Sequence, residues 1–327
     1  MTNRRAIVGL FEQHGELTVK ELVEFTGASK QMVHIVLNQM LAEGTIQKLG
    51  KAPKTLYRRL GKSSPKELSV VTLPQEATEF LRDHFMLITE IGEIREGAEG
   101  FALWCQQRSL PFEKTVSEFI TTRRKYLSYY HSNGLIDGTK KLHDTVGYEE
   151  IFLDTLYYLD FYAIERFGKT RLGVILHYAK QGQNKMLMGK MMDEVKPRVL
   201  KLISELSVGA VGFVPPTIRR EVQIMKFIQE RLKISLPLIH IKKVSGVIPV
   251  PQKSLSKLPE RISNAENTFS VTKSNAFDHV LLIDDAVGSG STMNQIAGKI
   301  KAKGIAKKVT GLAIVGSFKG FDVITDV

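Results

Sequence analysis

The feature that most constrains this chain is the string HVLLIDDAVGSGSTMNQIAGKIKAKG, His279 to Gly304. An apolar β-branched run, Val280 to Ile283, leads straight into Asp284 and Asp285. A turn of small residues follows, and then a helical pattern. Such a strand, turn and helix belongs to an α/β architecture, where ligands bind at the carboxyl ends of the strands. A phosphate at the helix start would meet unpaired backbone N–H groups and the positive end of the helix dipole. The backbone of Ala286 and Val287 leads into that turn, Gly288 and Gly290 let it approach the ligand, and Ser289, Ser291 and Thr292 offer hydroxyls. Adjacent carboxylates at the strand end suit a ribose diol or a hydrated magnesium ion. The turn lacks the lysine of a Walker P-loop, and its acids precede the glycines, unlike the dinucleotide fingerprint.

The remainder of the C-terminal third supports the same class. VGAVGFVPP, LPLIHI and VTGLAIVG are short β-branched runs that alternate with helical patterns such as REVQIMKFIQERL, which predicts a mostly parallel sheet with helices on its faces. Upstream, FLRDHFMLITEIGEI, FEKTVSEFITTRRKYLSYY and EEIFLDTLYYLDFYAIERF carry apolar residues at helical spacing. They predict a helical middle region over 76–165, leaving 166–327 for the α/β domain. The tract GKSSPKELSVVTLPQ, 61–75, reads as a linker.

Residues 1–60 predict a separate small domain. Three helical segments, Asn3 to His14, Val19 to Thr26 and Ser29 to Glu43, are joined by short turns, with Gly27 in the second and Ser29 placed to cap the third helix. TIQKL and TLYRRL then alternate apolar with polar residues around GKAPK, a hairpin pattern. This is a winged helix-turn-helix. Residues 1–62 hold ten Lys/Arg against five Asp/Glu, a local excess of 10 − 5 = +5. Ser29, Lys30, Gln31, His34 and Asn38 follow a face of the third helix that can reach base edges, while Lys48, Lys51, Lys54, Arg58 and Arg59 gather on the wing, where they can meet phosphates. Double-stranded DNA is the expected partner, with a protein-binding face as the alternative.

Charge and cysteine content bound the rest. The chain of 327 residues has 46 basic and 34 acidic side chains, a net +12 that points to a polyanionic partner. Cys105 is the only cysteine, which excludes an internal disulfide framework and a multi-cysteine zinc site. No secretory leader or membrane-length apolar run is present in the sequence, so the expectation is a soluble cytoplasmic protein. His131, His143 and His177 lack metal-ligand spacing, and the aromatic runs YLSYYH and LYYLDFYAIERF are packing residues.

The diacid string resembles the phosphoribosyl pyrophosphate (PRPP) motif of type I phosphoribosyltransferases, and the resemblance extends over roughly Leu172 to the C-terminus in the manner of the ComF-like branch. LHYAKQGQNKMLMGKMMDEVKPRVL looks like that branch's strand, Lys-x-Gly turn and helix, with Lys180 and Gly182 at the turn. VGFVPPTIRREVQ looks like its pyrophosphate-side strand and loop, placing Pro216, Thr217 and Arg219 there; Arg220 and Gln223 match, but the Gly, Phe and Asn expected between them are replaced. Gln252, Leu255, Arg261, Asn264 and Phe269 keep the order of the branch's flexible-loop region. The resemblance implies an α/β domain that binds PRPP with Mg²⁺, with Asp284, Asp285, Arg220 and Arg261 as catalytic candidates, the two acids as metal ligands, and dimers as a common assembly. Three functions stay open: a phosphoribosyltransferase joined to a DNA-binding head, a transcription regulator that senses PRPP or a nucleotide without turnover, and an effector of a bacterial defence or toxin-antitoxin system.

Overall fold

The computed structural model describes residues 3–42, 45–49, 55–59, 73–145, 148, 150–216, 218, 220–244, 269–272 and 275–317. The chain divides into two compact units, Met1–Thr72 and Leu73–Val327.

The first unit runs α1 (Asn3–His14), β1 (Glu16–Leu17), α2 (Val19–Thr26), α3 (Lys30–Ala42), β2 (Ile46–Leu49) and β3 (Leu56–Arg59). Local chemistry sets each boundary. Thr18 and Glu21 form a reciprocal capping box at the start of α2, and Gly27 ends that helix at φ +66°, a left-handed conformation that a side chain would strain. As expected, the Ser29 hydroxyl caps α3 by accepting from the Met32 N–H at 3.2 Å. The strands pair antiparallel in the order β1-β3-β2, and the Arg58 guanidinium is ion-paired with Glu16 across β1 and β3. Ile7, Leu22, Val33 and Leu37 are fully buried between helices and sheet.

The second unit continues with α4 (Gln75–His84), β4 (Met86–Ile88), β5 (Ile94–Glu96), α5 (Gly97–Gln107), α6 (Phe112–Leu127), β6 (Ile136–Asp137), α7 (Thr139–Asp144), β7 (Thr155–Phe161), α8 (Arg171–Gln181) and α9 (Lys185–Glu205). Then come β8 (Ala210–Phe213), α10 (Ile224–Leu232), β9 (Leu238–Ile239), β10 (Ile241–Lys243), β11 (Phe269–Val271), β12 (Phe277–Val287), α11 (Ser291–Ala302) and β13 (Ala306–Gly316). Six strands make the main sheet, in the order β6-β7-β13-β12-β8-β9; every pairing in it is parallel except β6 with β7. The expected mostly parallel sheet is therefore present.

Three segments differ from expectation. FLRDHFMLITEIGEI, expected to be helical, is helical only to His84 and then forms the antiparallel pair β4–β5. TLYYLDF, expected to be helical, is β7, and so the sheet already draws on residues 155–161. Its side chains are buried on both sides, which removes the alternation that marks a half-exposed strand. Conversely, the run before Lys180 was expected to be a strand and is helix α8, whose Leu172, Val174, Ile175 and Leu176 are buried. Thr170 starts that helix by accepting from the Gly173 N–H, and Gly173 has no room for a Cβ against the Tyr162 carbonyl.

The sheet has a core on each face. Val280 and Leu282 of β12 join the cluster that includes α11 and the aromatic α4–α6 layer, whereas Leu281 and Ile283 join the cluster of α8, α9 and α10. In the aromatic layer, the rings of Phe85, Phe101, Trp104, Phe119 and Phe167 lie at 4.9–6.4 Å from one another in edge and offset contacts.

Candidate functional site

Topology fixes where a ligand would sit. After β12 the chain turns into α11 on one face and reaches β13, whereas after β8 it turns into α10 on the other face and reaches β9. The strand ends of β12 and β8 therefore part company, which is the crevice where open α/β sheets take ligands. The walls are the 288–290 turn after β12 and the 214–223 segment after β8, tied together by the Val214 N–H donating to the Ile283 carbonyl at 2.9 Å.

Asp284 and Asp285 end the β12 run inside this crevice, and they are not equivalent. Strand alternation sends neighbouring side chains to opposite faces, so Asp285 falls on the side of α8. There its Oδ2 meets Lys180 Nζ at 2.5 Å. Asp284 accepts from the Asp285 N–H at 2.7 Å and has no cationic partner among the described residues. Burial, reinforced by the Asp285 charge, pushes the Asp284 carboxyl up to about 8.

The turn opens α11 in the expected way. Gly290 takes φ +88°, and a Cβ there would lie 2.9 Å from a Leu142 methyl. Ser289 and Ser291 are buried, with their hydroxyls 3.2 Å apart, while Thr292 is partly exposed. Val287 packs into the core and Ala286 is partly buried, so both can serve a ligand only through the backbone.

Across the crevice, the turn between α8 and α9 anchors the opposing loop by two amides. Gln181 Oε1 accepts from Arg220 Nη2 at 3.0 Å, and Gln183 Oε1 accepts from the Val222 N–H at 2.7 Å. Gln183 holds a left-handed φ of +49°, a local strain sustained where its side chain fastens the loop. Gln223 closes the same loop by donating to the Ile218 and Arg220 carbonyls. Lys180 thus reaches Asp285, while Arg220 and Gln223 lie on the loop held by the α8–α9 turn, where Pro216 is exposed. Thr217, Arg219, Arg261, Gln252, Leu255 and Asn264 lie outside the described residues, whereas Phe269 is a buried residue of β11. In the first unit, Ser29, Lys30, Gln31, Asn38 and Lys48 are exposed and His34 is half-buried; Lys51 and Lys54 lie outside the described residues, as does the Arg59 side chain.

Sequence reading misses a brace behind the glycine turn. Lys141 of α7 donates to the Ser317 carbonyl and, at 3.4 Å, to the Gly288 carbonyl, and Tyr148 donates to the Ser289 carbonyl at 2.9 Å. Burial pushes the Lys141 ammonium down to about 8. Asn294 adds a third tie, accepting from the Phe152 and Leu153 N–H groups and donating to the Glu150 carbonyl. These contacts span 141 to 176 residues of sequence, and no local pattern marks them.

The donor set fits magnesium held through one carboxylate, waters and ligand phosphate oxygens rather than through a protein cage. Asp284 is available for that role, Asp285 is engaged by Lys180, and no group of three or more His, Cys, Asp or Glu gathers among the described residues.

No protein-family model matches the chain, and no curated protein matches it in sequence. Solved structures similar to it include an adenine phosphoribosyltransferase, 14% identical, covering 44% of this chain and 78% of that one at a TM-score of 0.29. Another is the adenine phosphoribosyltransferase of Leishmania tarentolae, 12% identical, covering 55% and 97% at a TM-score of 0.30. Among the described residues, no helix is long and apolar enough to cross a membrane.

Proposed function

We propose that the second unit binds PRPP with Mg²⁺ at the end of β12 and that the first unit is a winged helix that binds duplex DNA. One observation carries the first half: the Asp284 carboxyl, which forms no ion pair among the described residues, a glycine turn opening a helix, and an arginine-bearing loop meet in one crevice at the strand ends. The turn suits the donor's 5-phosphate through the N–H groups at the start of α11. Asp284 suits the ribose hydroxyls and the metal, which would neutralise pyrophosphate charge. Arg220 faces from the opposite wall, where its partner among the described residues is the neutral amide oxygen of Gln181. In transfer, the bond from ribose C1 to the pyrophosphate oxygen breaks and a bond from C1 to the acceptor forms, with preorganised charge stabilising the departing oxygen.

A second reading, sensing without turnover, is favoured by the Arg220 segment itself. Gln181 already holds the guanidinium, and the Gly, Phe and Asn of the resembled motif are replaced between Arg220 and Gln223. The first unit supports the DNA half by its order of helices and three-stranded sheet and by its basic excess.

Incubation with PRPP, Mg²⁺ and a panel of nucleobases separates the readings. Pyrophosphate release that Asp284→Asn abolishes establishes transfer; a PRPP-dependent change in DNA affinity without release establishes sensing. Neither effect, with no PRPP retained by the protein, overturns both.

A further inference from the structure

The exposed face of α3 carries two aliphatic side chains that no packing explains. Met32 is 41% and Ile35 46% exposed, while Val33, Val36, Leu37 and Met40 on the other side are buried. Residues three and four apart share a helix face, so Ile35 sits between Gln31 and Asn38, with Met32 and Gln39 beside it, all five exposed. The thirteen residues of α3, KQMVHIVLNQMLA, contain no Asp or Glu. The face is thus amide and aliphatic, with a cation only at its start, Lys30.

That combination matches one nucleic-acid surface. In the major groove an A·T pair presents adenine N6 and N7, which an Asn or Gln amide can bind in bidentate fashion, next to the thymine methyl, which takes an apolar contact; guanine is read mainly by Arg or Lys. We infer that α3 reads an A·T-rich segment of duplex DNA, with Met32 and Ile35 packing on thymine methyls and Gln31 and Asn38 on adenine edges. This rests on the DNA-binding reading of the first unit and goes beyond it by assigning specificity to residues the basic pattern does not mark. The absence of carboxylates and the Lys48 charge on β2 favour a polyanion over a second copy of the chain as occupant.

The test uses the full chain and duplexes selected from a random pool at about 50 mM salt, where phosphate contacts are strong. Thymines in the enriched core are replaced one at a time by deoxyuridine, which deletes the methyl alone. At one or two positions affinity falls about four-fold, the effect of one buried methyl-sized group. Met32→Ala or Ile35→Ala, checked for an unchanged melting temperature, removes that dependence and leaves the salt dependence intact. A G·C core, or deoxyuridine tolerated throughout, overturns the inference while the DNA reading stands. If no duplex is enriched, the DNA reading fails with it; a dimer that Ile35→Asp dissociates then assigns the face to a second copy.

Discussion

Lys180, in the last turn of α8, places its Nζ 2.5 Å from Asp285 Oδ2 at the end of the central strand, with 17% and 8% of the two side chains exposed. The ion pair fastens the α8–α9 turn to the strand end, and the same turn holds the Arg220 loop through Gln181 and Gln183. One short connection thereby ties the Arg220 loop to the strand that carries the diacid.

Removing one partner should leave an uncompensated carboxylate in a poorly solvated site. Lys180→Met is expected to lower unfolding free energy by about 2–4 kcal/mol, and adding Asp285→Asn should recover part of that loss. Urea titrations of the single and double variants give the coupling directly. Strictly additive effects would show that the pair contributes nothing.

A second buried ion pair supports the aromatic layer. Arg123 donates from both terminal nitrogens to Asp160, at 3.0 and 3.1 Å, and Tyr130 donates to the same carboxylate at 2.5 Å. Burial beside Asp160 raises the Tyr130 phenol, keeping it a donor. Tyr130→Phe should cost about 1.5–3 kcal/mol, as for a hydrogen bond to a charged group, and Asp160→Asn about 3–5 kcal/mol because it breaks the pair. Equal costs in chemical denaturation would contradict this hierarchy.

Two glycines separate backbone strain from crowding. At Gly316 a Cβ would lie 2.3–2.5 Å from the Tyr158 ring atoms, and at Gly290 it would crowd a Leu142 methyl at 2.9 Å and touch a Leu156 methyl at 3.7 Å, though at φ +88°. Both alanine variants should cost about 1–3 kcal/mol, Gly316→Ala the more because a packed ring must move whereas Leu142 can rotate. Thermal melts of the pair test the order, and a more stable Gly316→Ala would refute it.

His84 and His279 set an acid limit on stability. Burial lowers both imidazoles below the ordinary histidine value, with Arg123 adding to the effect at His84 and Lys308 at His279. Below about pH 6.5 the unfolded chain takes up protons that these two rings do not, so their contribution to stability should fall as pH drops from there towards their folded values and be constant above. NMR titration should find both imidazoles protonating below the ordinary histidine value. Ordinary values for both rings would contradict the account.

What the sequence made legible was local. The β12 string, its diacid and the start of α11 lie within about thirteen consecutive residues, and each carries its own signal of apolar run, acids or left-handed glycine. The second and third helices of the first unit are marked in the same way by Gly27 and Ser29. Segments buried on all sides were not legible. In β7 the apolar residues do not alternate with polar ones, so periodicity read it as a helix, whereas the strand expected before Lys180, in place of α8, followed from the resemblance alone. Lys141, Tyr148 and Asn294 brace the turn from far upstream, and only the fold brings them there.

The central claim is that the crevice at the end of β12 seats a sugar phosphate and its pyrophosphate. Titration calorimetry with PRPP and Mg²⁺ tests it most directly, with Asp284→Asn and Gly290→Ala as controls that alter the carboxylate and the turn separately. Saturable heat for the unaltered chain, weakened at least ten-fold by either substitution, a change of about 1.4 kcal/mol or more, is the predicted result. No heat, or heat indifferent to both substitutions, would contradict it.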